Sequence, residues 1–222
     1  MDDLEKSLAF PFRDGNWGLK FIIGIAFMLL SVIGLGLPVM AGYYVQTVRR
    51  SMRDEEPALP EWTDIGVMFV TGFKFCVVYV VYLLPAILLI LPALLIGVVA
   101  GVGELPEGFG AIVAIYSFGM FLIYIPYILA FTLLSPVITC RFALNERISE
   151  ALDIGAVLRD FRAVWPTATV TVLLTILLQS LAWAGIFLFL IGVLVTIFYS
   201  IVVSAHLFGA VHRIRVREGA AA

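Results

Sequence analysis

Residues 75–103 read FCVVYVVYLLPAILLILPALLIGVVAGVG, 29 positions without one Asp, Glu, Lys, Arg or His. A bilayer core about 30 Å thick needs roughly 20 apolar residues per helix, so this stretch is long enough to cross one with tilt to spare. Three further stretches share the property: 21–48, 108–140 and 163–205. Together the four hold 133 of the 222 residues, in a chain that is 62% hydrophobic and 14% charged, with a mean hydropathy of +1.08. A soluble domain is usually about 45–50% apolar and about 25% charged. The composition excludes an ordinary cytosolic enzyme, a disordered chain and a small disulfide-stapled secreted domain. It predicts an all-α fold: a polytopic transmembrane helical bundle occupying residues 1–222 as a single integral membrane domain.

The polar islands between these stretches are 1–20, 49–74, 104–107, 141–162 and 206–222, and they carry 3, 4, 0, 4 and 3 Lys plus Arg. Positive charge accumulates on the cytoplasmic side of membrane proteins. That rule places 49–74, 141–162 and the C-terminus in the cytoplasm, with Glu104 and Glu107 outside, and it implies a multi-pass protein of the plasma membrane. Trp17, Trp62 and Trp165 each neighbour a basic island, as expected of rings at headgroup level, and Trp183 marks the opposite interface. The 43 residues of 163–205 join two cytoplasmic islands, so they turn once outside. Ala184-Gly185 is the natural tip, giving membrane segments 164–184 and 186–208. With 21–48, 75–103 and 108–140 this makes five apolar segments, preceded by 1–20 as an N-terminal interfacial segment.

The first segment is the difficult one. It is too long for a secretory signal core, Pro38 and Tyr43 stand where a small-residue cleavage site is expected, and its leader is acidic. It is expected to remain in the mature protein. Gly34-Leu35-Gly36-Leu37-Pro38 interrupts it with two glycines and a proline, a combination that weakens a helix strongly. Two readings follow. A re-entrant hairpin puts Lys20 and Arg49 on one face of the membrane; a tilted, kinked single span puts the N-terminal basic residues outside.

Two cytoplasmic islands run into amphipathic stretches that begin alike: Asp64-Ile65-Gly66 and Asp153-Ile154-Gly155, 89 residues apart. Both read as short interfacial helices, each followed by a basic residue, Lys74 or Arg162, at the entry to the next span. Lys74 is close enough to the cytoplasmic end to snorkel to water. The repeated triplet fits either a diverged duplication or coincidence.

In the last two segments, Thr167, Thr171, Thr175 and Gln179 recur every fourth residue and share one helix face. Gly192, Thr196, Ser200 and Ser204 do the same on the following helix. Folding about Ala184-Gly185 pairs Gln179 with Gly192, Thr175 with Thr196, Thr171 with Ser200 and Thr167 with Ser204. Small and hydroxyl side chains allow close helix packing in lipid, so the stripe reads as a packing seam; a polar track for a substrate is the sharper reading. Gly97 and Gly101 form a Gly-x-x-x-Gly pattern of the helix-packing kind. Pro85, Pro92, Pro126 and Pro136 interrupt two spans, and Tyr79, Tyr82, Tyr124 and Tyr127 lie near them with hydroxyls suited to carbonyls that proline frees.

The chemistry of a catalytic centre is missing from the pattern. His206 and His212 do not share a helix face, so they make a poor metal pair. Cys76 and Cys140 lack metal-ligand spacing and read as free thiols. Glu146, Glu150 and Asp153, surrounded by Arg147, Arg159 and Arg162, read as a solvated surface. No carboxylate pair lies at membrane depth, as proton-coupled pumps require, and a net charge of −2 gives no basic face for nucleic acid. We expect no catalytic, cofactor-binding or metal-binding residues, and no enzyme.

Phe10-Pro11-Phe12-Arg13-Asp14, Trp17, Lys20, Ile23-Gly24, Gly42-Tyr43, Arg49-Arg50, Leu59-Pro60-Glu61-Trp62, Asp64, Gly72, Lys74, Tyr82 and Pro85 together resemble the domain-of-unknown-function 4013 (DUF4013) family. Its members are small polytopic membrane proteins of archaea and bacteria. The specific part covers about residues 10–90, and beyond it the likeness is chiefly one of hydropathy. The resemblance implies an integral membrane protein, prokaryotic in origin, and brings no activity or catalytic residue with it. Gly42-Tyr43 and Leu59-Pro60-Glu61-Trp62 are the positions best suited to a shared role, as a turn and an interfacial anchor if the role is structural. The expected function is association with membrane lipids, other membrane proteins or a second copy of the chain. The runner-up is a transporter or lipid-handling protein built on the Thr/Gln-lined hairpin.

Overall fold

The computed structural model describes residues 8–55, 59–102, 109–183 and 189–221. Among them every regular element is a helix: a 3-10 turn at Phe10–Arg13, then α1 (Trp17–Ser31), α2 (Gly36–Met52), α3 (Ile65–Val102), α4 (Phe109–Asn145), the single turn α5 (Ile148–Ala151), α6 (Ile154–Trp183) and α7 (Phe189–Ala221). Four stretches are long and apolar enough to cross a membrane: Ile65–Val98, Phe109–Asn145, Ile154–Ala182 and Gly192–Arg213. The chain has the architecture of a helical membrane protein, with four long spans and one apolar segment of a different kind.

That segment is 21–48, and it folds as a hairpin of two short helices. A straight helix would hold Lys20 and Arg50 about 45 Å apart at 1.5 Å per residue. Instead both donate to one carbonyl, that of Leu59, at 3.1 Å from Lys20 Nζ and 2.8 Å from Arg50 Nη1. The break falls at the glycine- and proline-rich stretch. Gly34 takes a φ of +84°, a conformation open to glycine at little steric cost. Backbone groups of the turn are satisfied locally: Val32 N–H bonds Leu29 O, Gly34 N–H bonds Ser31 O, and Ser31 Oγ bonds Phe27 O. Val32, Ile33 and Leu35 at the tip are exposed. An apolar tip with the Val32 and Gly34 N–H groups paired locally is suited to hydrocarbon.

The triplets at 64–66 and 153–155 both start helices, but they differ beyond that. Asp153 caps α6 through Oδ1 to the Ala156 N–H at 2.9 Å, and α6 bends at Val164 (φ −124°, ψ 17°), just before Pro166. Residues 154–163 are thus set off as a short helix of their own. Residues 65–74, expected as a separate interfacial helix, are instead the first turns of α3, which runs on without interruption. No proline falls between Ile65 and Leu84 to break it.

The chain divides into two compact units, Met1–Val78 with Leu134–Ala222, and Tyr79–Leu133. In the first, α2 packs on α1 and α7, and α6 packs on α7. Its core gathers Tyr43, Val45, Val48, Phe142, Phe198, Val202 and Val203, all essentially inaccessible. In the second, the tyrosines answer the prolines. Tyr127 donates its hydroxyl to the Tyr82 carbonyl and Tyr116 donates to that of Leu89 at 2.8 Å. Each acceptor lies three residues before a proline, Pro85 or Pro92, one residue after the carbonyl (Val81 or Leu88) that the proline deprives of its helical N–H. Tyr116 was not among the tyrosines singled out by proximity. Among the described residues nothing approaches within 4 Å of a Cβ placed on Gly97.

Candidate functional site

Among the described residues three ion pairs join the basic islands in the first unit. Lys20 meets Glu61 at 2.6 Å, Arg49 meets Glu146 at 2.7 Å, and Arg213 meets Asp54. The islands 1–20, 49–74, 141–162 and 206–222 therefore share one end.

At the centre of that end Lys20 is 2% exposed, although α1 is otherwise apolar. Burying an ammonium is costly unless it is paired and hydrogen-bonded. Here Nζ has three oxygens: Asp14 Oδ2 at 2.6 Å, Glu61 Oε1 at 2.6 Å and Leu59 O at 3.1 Å. Asp14 is buried too and also accepts the Asn16 N–H at 2.9 Å. Burial works to raise the Asp14 pKa. The Lys20 and Asn16 hydrogen bonds and the charges of Lys20 and Arg50 outweigh it, and the carboxyl is held below its ordinary range.

Trp62 closes this cluster from within. Its indole N–H donates to the Lys20 carbonyl at 3.1 Å, and its ring stacks on Tyr43 and Phe27 with centroids 4.1 and 5.2 Å apart. It is half-buried, with its N–H and its ring face both used within the protein. Trp17 and Trp165 do remain exposed. Gly42-Tyr43 is likewise no turn. It lies within α2, where Gly42 lets the backbone of α3 approach and Tyr43 is wholly buried, its hydroxyl without a partner among the described residues.

Beside the cluster lies a cavity of about 300 Å³, bounded by Gln46, Arg49, Arg50, Glu61, Asp64 and Glu146, with Thr63 and the apolar Pro60, Val67 and Met68 completing it. Glu146 is the group least expected there. It follows the last turn of α4 with φ +54°, and its N–H bonds the Phe142 carbonyl at 2.8 Å, the arrangement of a left-handed helix C-cap. That geometry aims its carboxylate inward, where Oε1 accepts from Arg49 and Oε2 from Thr71 at 3.1 Å. It is a structural acid and not part of a solvated surface. No local pattern could have paired it with Arg49, 97 positions away.

The Thr/Gln stripe is a partly buried seam between α6 and α7. Thr171, Ser200 and Ser204 are buried, and Thr167, Thr175, Gln179, Gly192 and Thr196 are half-buried. Its register differs from the symmetric pairing. Ser200 Oγ meets Gln179 Oε1 at 3.3 Å, about two turns from the Gly192 expected opposite, and Thr196 Oγ1 meets the Ala182 carbonyl at 2.9 Å. A helical side chain leans toward its own N-terminus, so the long Gln179 reaches deeper than its Cα position implies. The Ala184-Gly185 tip lies outside the described residues. Thr169, Ser180, Thr196 and Ser200 bond a carbonyl one turn back, but Thr175 Oγ1 and Ser204 Oγ are buried and have no partner among the described residues. We expect Ser204→Ala to leave thermal stability in detergent unchanged or raised by up to about 1 kcal/mol, because it removes an unpaired buried hydroxyl. Ser200→Ala, which breaks the link to Gln179, is expected to lower it by about 0.6 kcal/mol.

Compared with known proteins, the chain matches one family profile, described as a protein of unknown function (DUF4013), over residues 25–197. The chain belongs to the DUF4013 family. Neither the curated proteins nor the solved structures compared with it include a match. The family match extends well beyond residue 90, where the specific likeness seemed to end, and takes in α4, α6 and the start of α7. It begins after Lys20, so Asp14, Trp17 and Lys20 precede the matched range. Tyr43, Arg49, Arg50, Glu61, Trp62, Asp64 and Glu146 all fall inside it, so the cavity belongs to the DUF4013 portion of the chain.

Proposed function

We propose that this DUF4013 protein is a non-catalytic protein of the plasma membrane that acts by associating with lipids or other membrane proteins through its charged end. In this reading the four basic islands and the C-terminus face the cytoplasm, and the α1–α2 hairpin re-enters the membrane from that side. The observation that carries it is how the ionisable groups are used. They gather where the spans end, tie the islands together, and leave a charged cavity beside the end of α2 and the start of α3. Purification in mild detergent with mass spectrometry of what stays bound is the test. A co-purifying lipid or membrane protein is expected, and a monomeric, unliganded particle would overturn the proposal.

A second reading, transport along the α6–α7 seam, draws on the unpartnered hydroxyls of Thr175 and Ser204. It requires a cysteine at Gln179 to react with a water-soluble thiol reagent in the folded protein. Protection of that cysteine leaves the seam as packing.

A further inference from the structure

We propose that the cavity between α2, α3 and Glu146 holds the head group of an aminophospholipid, a zwitterion with a primary ammonium and a phosphate. This rests on the association reading and narrows it to one ligand class. The cavity is of a size that small-molecule sites commonly have, and its charges are the first argument. Two arginines and three carboxylates line it. A simple anion would meet three negative groups and a simple cation two guanidinium groups, so neither sign alone is served.

Much of this charge is already committed. Arg49 spends Nε on the Ala143 carbonyl and Nη2 on Glu146, Glu61 is bound to Lys20, and Arg50 spends Nε on Glu55 and Nη1 on Leu59 O. Among the described residues, Asp64 and one terminal nitrogen on each of Arg49 and Arg50 have no such partner. One uncommitted carboxylate, for an ammonium, and two uncommitted guanidinium nitrogens, for a phosphate, lie in the same cavity and match the two ends of a zwitterion. Gln46 and Thr63 supply neutral hydrogen-bonding groups beside them.

The surroundings favour a lipid over a free zwitterion. The cavity is built from the last turns of α2, the entry to α3 and the residue following α4, where spans give way to the interface. Val67 is both a wall of the cavity and an exposed apolar residue, and α3 continues from it with exposed Phe69, Val70 and Phe73. Acyl chains attached to a head group in the cavity have an apolar helix face to follow. Head-group pockets between membrane helices at the cytoplasmic side are a known mode of lipid recognition.

The test is native mass spectrometry of the delipidated full chain titrated with phosphatidylethanolamine, phosphatidylcholine and phosphatidylglycerol of identical acyl chains, and with soluble glycerophosphoethanolamine. Phosphatidylethanolamine is expected to bind about tenfold more tightly than phosphatidylglycerol, and more tightly than phosphatidylcholine, whose quaternary ammonium has no N–H for Asp64. Asp64→Asn is expected to abolish that preference. Asp64 is exposed and makes no side-chain hydrogen bond among the described residues, so the variant should melt with the parent. Equal binding of the three lipids, or a preference that survives Asp64→Asn, overturns the proposal. Soluble head group binding as tightly as the lipid overturns the lipid assignment. Retention of phosphatidylglycerol or of a protein partner alone sinks the zwitterion site while the association reading stands; retention of nothing sinks both.

Discussion

Gly72→Ala is expected to abolish stable folding, at a cost above about 3 kcal/mol, from the addition of one methyl group. A Cβ on Gly72 would overlap the Pro38 carbonyl oxygen and the Gly42 nitrogen, and one on Gly42 would overlap the Met68 carbonyl. Helices α2 and α3 therefore cross backbone to backbone, each through the other's glycine. Overpacking usually costs about 1–3 kcal/mol because side chains can shift. Here the obstacle is main chain, which moves only if the helices part. Parting them would open the wall of the charged cavity, since Gln46, Arg49 and Arg50 stand on one helix and Val67 and Met68 on the other. Gly24 offers an internal comparison. A Cβ there meets the Phe198 ring, which can turn aside, so Gly24→Ala should cost less. Gly66→Ala and Gly97→Ala, with nothing within 4 Å, should be tolerated or slightly stabilising by helix propensity. Folded yield by size exclusion and melting in detergent rank the four. A Gly72→Ala protein that melts with the parent would refute the backbone crossing.

The elements that could be read from the sequence are those set by local composition. Length without charge defined the four spans, because hydrocarbon admits long apolar helices and little else. The glycine and proline run at 34–38 marked the break of the first segment, and the structure resolves the choice of hairpin or single helix in favour of the hairpin. The site was only half legible. Arg49-Arg50 and Leu59-Pro60-Glu61-Trp62 stood out as a resemblance, yet their roles depend on partners far along the chain. Glu146 looked like one acid among several surface charges until a left-handed cap turned it toward Arg49. Trp62 stood out beside a basic island, but the N–H bond to the Lys20 carbonyl and the stacking on Tyr43 were not legible there. Contacts across 40 to 100 positions leave no periodicity to read. The seam between α6 and α7 shows the same limit at short range, since spacing identified its residues but not their register.

Lys20→Met is expected to destabilise the protein by about 3–5 kcal/mol at neutral pH, the cost of breaking a buried ion pair from one side. Of the three oxygens around the ammonium, two would be left in tolerable states. Leu59 O keeps its bond from Arg50, and Glu61 is 57% exposed at its side chain and can turn to water. Asp14, 5% exposed, keeps only the Asn16 N–H as a hydrogen-bond donor among the described residues. The penalty should therefore reside in Asp14, and a Lys20→Met, Asp14→Asn double variant should recover part of it. Acid provides an independent check. The folded pKa of Asp14 is depressed, so its contribution is present above the unfolded value of about 3.9 and is lost as pH falls through the folded value. The parent should weaken below about pH 4 from this source. In Lys20→Met the unpaired, buried carboxyl favours its neutral form, so it takes up its proton at a higher pH and the gap between variant and parent should close on acidification. Melting curves from pH 7 to pH 3 measure both effects. A gap that stays constant with pH would assign the loss to the packing of the Lys20 stem, and the absence of any loss at pH 7 would mean that the Lys20–Asp14 pair does not hold the hairpin in place.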